Sequence, residues 1–317
     1  MNLSTISKRM NPVNVLVLGV LGGAVPFLMY LWNFPTSTDA EAQQFAHAPS
    51  FATWVFLLST VFSFVTIILI PSWKICNELY SEVVKENRPR NIKGMLMVSA
   101  VMYPCVLVAL FLLSSRVFIL PNDEFMKELN INFAVVYFYS ALGFYPVMFC
   151  IVLINYMAEI MSNKINLVKN NKKELPIFIQ EYLDHRNLLQ ICLITNGILL
   201  SLNPIITAAY LSIWREIGVF TSQTFPAQAI IIYGLIFTLL LILIYVPTYI
   251  ALTNVGRELR DAMYPLDVDM LEATMKNRKV LDELLQTNIG ITENLKSGFF
   301  TLSPLVSGLI AGLLGFK

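Results

Sequence analysis

Residues 228 to 252 read QAIIIYGLIFTLLLILIYVPTYIAL and contain no charged side chain. A helix rises about 1.5 Å per residue and some 20 apolar residues cross the roughly 30 Å of bilayer hydrocarbon, so this run is a membrane span. Similar charge-free cores lie at about 13–33, 52–72, 95–115, 132–156, 188–213 and 299–316. The last is about 27 Å long as a helix, just enough to span or short enough to re-enter. The expected fold is therefore all-α: a polytopic membrane protein with six long transmembrane helices and a short seventh C-terminal segment.

Composition agrees with that reading. Of 317 residues, 56% are hydrophobic and 14% charged, where a soluble domain carries about 25% charged residues. Mean hydropathy is +0.65. The net charge of +1 points to no polyanionic partner, and the densest basic stretch, Lys169 to Lys173, is three lysines among asparagines. Nucleic acid is excluded as a partner on that ground. The N-terminal segment has a basic start, but its charge-free run from Met10 to Thr38 is too long for a signal peptide and reads as a retained first span.

The basic residues set an orientation. With the N-terminus cytoplasmic, that side receives 18 Lys and Arg and the other receives four. The positive-inside rule then places the N-terminus in the cytoplasm of a plasma or bacterial inner membrane. The segments at about 73–93, 157–187 and 253–297 continue helical patterns past the lipid and form a cytoplasmic helical layer. A helix is expected from Asp267 or Asp269 to Asn288, stopped by Gly290, with the stripe Leu271, Met275, Leu281, Leu284 and Leu285. Leu281 and Leu284 mark a surface where a cytoplasmic protein could bind. No repeat or flexible linker divides residues 1–317, which read as one membrane domain.

No ionisable side chain occupies the middle of any span, although such groups are the usual mark of intramembrane chemistry. P-loop, GxGxxG and HExxH motifs are absent as well. The chain does not read as an enzyme, and no cofactor or metal is expected. The four cysteines, Cys76, Cys105, Cys150 and Cys192, are scattered singly and read as small hydrophobes. Six of the seven segments carry a proline, which makes bent packing the expectation.

Two neutral features remain. On the fifth span, Asn196, Asn203, Thr207 and Tyr210 share one helical face, and Tyr245 on the sixth adds a hydroxyl. They fit interhelical hydrogen bonding or a small polar pocket. On the last segment Ser303, Ser307, Ala311 and Gly315 recur every four residues, as do Pro304, Gly308 and Gly312. Such small-residue rows let helices approach closely, or line a narrow pore with hydroxyls.

Seven segments, an internal N-terminus and a last helix fed from a cytoplasmic helix together resemble the layout of insect odorant- and gustatory-receptor ion channels. The Thr-Tyr…Gln-Phe ending of those receptors is absent, and the chain is shorter than theirs. The resemblance implies a channel whose terminal helix lies near the pore. Three functions follow in order: a homo-oligomeric ion- or small-solute-conducting channel, a non-conducting sensor or scaffold subunit, and a transporter of a neutral or apolar solute.

Overall fold

In the computed structural model, residues 12–33, 40–85, 124–169, 174–218, 228–265, 272–287 and 291–314 are described. They form α1 (Pro12–Asn33), α2 (Ala40–His47), α3 (Pro49–Lys85), α4 (Glu124–Lys169), α5 (Leu175–Glu216), α6 (Gln228–Met263), α7 (Glu272–Leu284) and α8 (Ile291–Leu314). All secondary structure among them is helical. The expected third segment, 95–115, lies outside the described residues.

Among the described residues four helices are long and apolar enough to cross a membrane: α3, the Gly143–Ile165 part of α4, α5 and α6. Shorter apolar stretches occur at Val13–Leu28 in α1 and Gly298–Gly312 in α8. The long helices overrun any bilayer. At about 1.5 Å per residue, α5 with its 42 residues is roughly 63 Å long. Its first turn carries Pro176 where a missing N–H costs nothing.

Facing residues give the directions of the helices. Val65 meets Gly143 and Cys76 meets Cys150, so α3 and α4 run the same way. Gly23 meets Ser63 while Gly19 meets Ile67, so α1 runs against α3. Trp54 stacks on Tyr210 while Ser50 bonds Glu216, which makes α5 antiparallel to α3. By the same test α6 opposes α5, since Arg186 lies over Tyr249 while Ala208 and Leu211 share a cluster with Ile230.

The bundle therefore has two unlike ends. At the aromatic end Phe45, Phe51, Trp54, Tyr210 and Trp214 interlock with ring centroids 5.1 to 6.1 Å apart. The Glu216 carboxylate closes this end by accepting from the Ser50 backbone N–H at 3.0 Å and hydroxyl at 2.6 Å, which ties the first turn of α3 to the end of α5. The main core runs from mid-bundle to the charged end and unites Leu79, Ile154, Met161, Tyr182, Leu189, Leu252 and Leu285.

At the charged end α7 stops at Leu284, earlier than Gly290 would have stopped it. Gln286 adopts the left-handed φ of 53°. Its N–H then reaches Glu283 O at 3.2 Å and that of Thr287 reaches Asp282 O at 2.9 Å. This pair of bonds ends a helix with a left-handed residue, a place usually given to glycine.

Candidate functional site

The terminal helix α8 sits in the groove between α5 and α6, and its small residues make the fit. An added Cβ on Gly234 of α6 would overlap the Pro304 carbonyl, and one on Gly308 would stand 3.0 Å from Ile230 O. On the α5 side, a Cβ on Gly197 would stand 2.8 Å from Phe300 O. Backbones thus pass at distances only glycine permits, as in small-xxx-small packing.

Pro304 shapes the polar part of this seam. Proline has no N–H to give the carbonyl four residues back, so Phe300 O is released. The Ser303 hydroxyl lies 2.7 Å from it and 3.2 Å from Gly197 O, while Ser201 approaches Ser303 Oγ at 2.9 Å. One turn on, the Leu305 N–H donates to Thr238 Oγ1 at 3.1 Å. Ser307 is buried and donates to Pro304 O at 2.8 Å. Ala311 joins Ala208, Leu211 and Ile230 in a small cluster, and Gly312 is buried. Gly315 lies outside the described residues. Sequence alone suggested a pore or a packing role for this face; here the described members of both rows face the protein's own helices. The opposite face, Phe299, Leu302, Val306, Leu309 and Ile310, is exposed.

At the root of α8 lies a junction that sequence reasoning did not single out. Arg186 is 3% exposed and its charge is met by neutral acceptors: its Nη1 donates to Tyr182 Oη at 3.0 Å and Leu285 O at 3.2 Å. The guanidinium also lies over the Tyr249 ring, 5.6 Å from the centroid. Tyr182 itself donates to Leu285 O at 3.2 Å. Gly256 makes room, since a Cβ there would stand 2.5 Å from Thr287 and 2.6 Å from the Tyr182 hydroxyl. Tyr182 precedes the apolar core of α5, and burial pushes its phenol above the ordinary range while the Arg186 charge and hydrogen bond pull the other way.

A second layer braces the same turn. Arg260 meets the buried Asp282 at 3.0 Å and Asp261 at 2.8 Å. Burial works against the Arg260 charge, but these two carboxylates more than offset it and hold its pKa above the usual value. Thr287 bonds the Asp282 carboxylate, and Arg278 bonds Asp261 and the Tyr264 carbonyl. The end of α7 and the approach to α8 are thus fixed to α5 and α6 by directional bonds to charged groups.

The polar residues of α5 do not converge. Asn196 is fully buried, with Nδ2 3.3 Å from Met148 Sδ and Oδ1 lacking a partner. Asn203 donates to Leu199 O and Thr207 to Asn203 O on their own helix. Tyr210 belongs to the aromatic end and Tyr245 to the main core, stacked on Tyr249. Elsewhere, a groove of about 300 Å³ between α4 and α6 is lined by Asn155, Glu159, Ser162, Asn163, Asn254 and Glu258. On α7, Leu281 faces the core while Leu284 is exposed, so the two do not share one surface. Among the described residues no group of three or more His, Cys, Asp and Glu is arranged to hold a metal ion.

No protein-family model, no curated protein and no solved structure matches the chain.

Proposed function

We propose that the chain is a seven-segment membrane protein that assembles with copies of itself and conducts ions or small solutes, with α8 nearest the shared axis. The observation that carries this reading is the division of labour on α8. Its small face is used within the protomer, and its exposed face is a continuous apolar stripe of Phe299, Leu302, Val306, Leu309 and Ile310. The charge-free stretch 299–316 is about 27 Å long as a helix, a little short of the roughly 30 Å of hydrocarbon. A short helix facing lipid alone creates a mismatch that oligomerisation relieves. Around an axis, an apolar stripe forms a constriction that gates by wetting and drying.

The directions of the helices support the seven-segment count. Because α3 and α4 run the same way, the chain between them must return to the aromatic end, and 95–115 is the apolar stretch there that can carry it. The charged end then faces the cytoplasm, together with the N-terminus and 18 of the 22 Lys and Arg, in a plasma or bacterial inner membrane. The junction at Arg186 and Leu285 links that cytoplasmic layer to the pore helix.

The test is current from the purified protein in a planar bilayer, with Val306→Cys beside it. We expect discrete current steps, blocked in Val306→Cys by a charged water-soluble thiosulfonate that leaves the unmodified chain conducting. Silence from well-folded oligomers, or a current indifferent to the reagent at Val306→Cys and Leu302→Cys alike, would overturn the proposal.

One observation favours a second reading, a subunit that binds a cytoplasmic protein. Met275, Val280 and Leu284 of α7 are exposed and apolar. A partner that co-purifies in mild detergent and is lost from Val280→Glu and Leu284→Glu would support it.

A further inference from the structure

The cysteines that look scattered in the sequence meet in the fold. Cys76 of α3, Cys150 of α4 and Cys192 of α5 are all buried and all free thiols. Cys76 Sγ lies 2.6 Å from Cys150 Sγ, and Cys192 belongs to the same buried cluster. Carbonyl groups hold the first two in place. The Cys76 thiol is 2.8 Å from Pro146 O, and the Cys150 thiol is 3.7 Å from Ser72 O. Each of these carbonyls lies four residues before the opposite cysteine, so the contact is reciprocal and both thiols stand at one level.

A small apolar filler needs none of this. One cysteine at a helix contact is ordinary packing, but two helices that each turn a thiol onto the other's thiol and carbonyl make an arrangement for sulfur chemistry. The sulfurs of Cys76 and Cys150 are in direct contact.

We propose that Cys76 and Cys150 are an oxidation site that joins α3 to α4 by a disulfide, with Cys192 as the exchange partner. The oxidant is an apolar hydroperoxide, ROOH, which can enter the apolar interior of the protein. One thiol attacks the peroxide, becomes a sulfenic acid and releases the alcohol ROH. The facing thiol then attacks that sulfur and expels water. Two thiols and ROOH thus give one disulfide, ROH and H₂O; the sulfurs lose two electrons and the peroxide gains them. Thiol–disulfide exchange at Cys150 by Cys192 moves the link to α4 and α5. Burial slows the first step, because the thiolate is scarce in apolar surroundings. It also confines the reaction to oxidants that enter the apolar interior of the protein, and the second step is then intramolecular between preplaced groups. The inference does not depend on whether the protein conducts.

The experiment treats the protein in lipid nanodiscs with cumene hydroperoxide, then alkylates, unfolds, digests and maps the peptides. The expected product is an intrachain peptide pair joined through Cys76 and Cys150, lighter by two hydrogens, with a minor Cys150–Cys192 pair. Native protein should resist bulky maleimides at all three positions. Cys150→Ser should remove both pairs, and Cys192→Ser should leave the Cys76–Cys150 link intact. Thiols that survive the peroxide unchanged, sulfurs that gain oxygen without linking, or links formed only between chains would each overturn the proposal. If Cys150→Ser fails to fold, the peptide map of the unsubstituted chain decides alone.

Discussion

The first helix and the last are both edge helices with short apolar stretches, and both rest on glycines, yet they are held in different ways. Helix α1 lies on α3 through Gly19, Gly22 and Gly23, where added Cβ atoms would meet Ile67, Thr66 and Ser63. Its other faces are exposed, with Val13, Leu16, Val20 and Leu28 bare. Helix α8 is instead seated between two helices, pinned along its seam by Thr238 and Ser201 and anchored at its root by Arg186, Tyr182 and Asp282. Glycine seams bring backbones close but set register only weakly. Hydrogen bonds and ion pairs set register and make the seat directional. The difference teaches that, among the described residues, α8 is held in a directional seat, while α1 rests on a glycine seam.

The largest expected effect comes from filling the two seams. Gly234→Leu places a side chain against the Pro304 backbone, which cannot yield without moving α8 as a whole. A loss on the order of 3 kcal/mol is expected, with α8 becoming protease-sensitive in detergent. Gly22→Leu presses on the Thr66 side chain and on Phe62 O at 2.8 Å. Because α3 is the main support of α1 among the described residues, α1 should shift or detach at a cost of about 1–2 kcal/mol and leave the rest of the bundle folded. Thermal unfolding of the two variants side by side decides. Equal losses in both would break the contrast.

Next in size is the root of α8. Asp282→Asn keeps the shape of the side chain but removes the charge that faces Arg260 and weakens the bond from Thr287. Asp282 is buried and Arg260 only partly so, so about 2 kcal/mol is expected rather than the full cost of breaking a buried pair. Hydrogen exchange should rise at residues 285–287 and at the start of α8, with α1 unchanged. Increased exchange spread evenly over both edge helices would mean that the junction is general ballast and not an anchor for α8.

What could be read in the sequence follows from what periodicity records. Charge-free runs report lipid-length segments, and the four long apolar helices were visible for that reason. The small rows of α8 were visible as a face, but Gly197, Ser201, Gly234 and Thr238, the surface that receives them, lie on other helices and leave no mark on that pattern. Shared azimuth is not shared depth. Asn196 and Tyr210 are on related faces of α5 but about 21 Å apart along it, so one packs against Met148 and the other against Trp54. Cys76 and Cys150 illustrate the reverse: far apart in sequence, they meet because two long helices bring them to the same depth. Arg186 was counted only as a positive charge, since nothing local shows that a guanidinium will be buried over a tyrosine ring.

The smallest effect, and the sharpest test of the contrast, concerns Tyr182. Its phenol donates to Leu285 O and accepts from Arg186, so Tyr182→Phe should cost about 1 kcal/mol at neutral pH. The folded-state pKa is raised by burial above the ordinary value near 10. A raised value favours the neutral phenol in the folded protein. Its stabilising contribution is therefore complete below about pH 10 and is lost as pH rises through the folded-state value. In the unsubstituted chain, alkaline pH should loosen the root of α8 before it loosens α1, and Tyr182→Phe should flatten that difference. Hydrogen exchange at residues 285–300 and at α1, followed from neutral pH into this alkaline range, measures it. A root that loosens in step with α1, or an alkaline limb that survives in Tyr182→Phe, would show that the phenol does not hold the last helix in place.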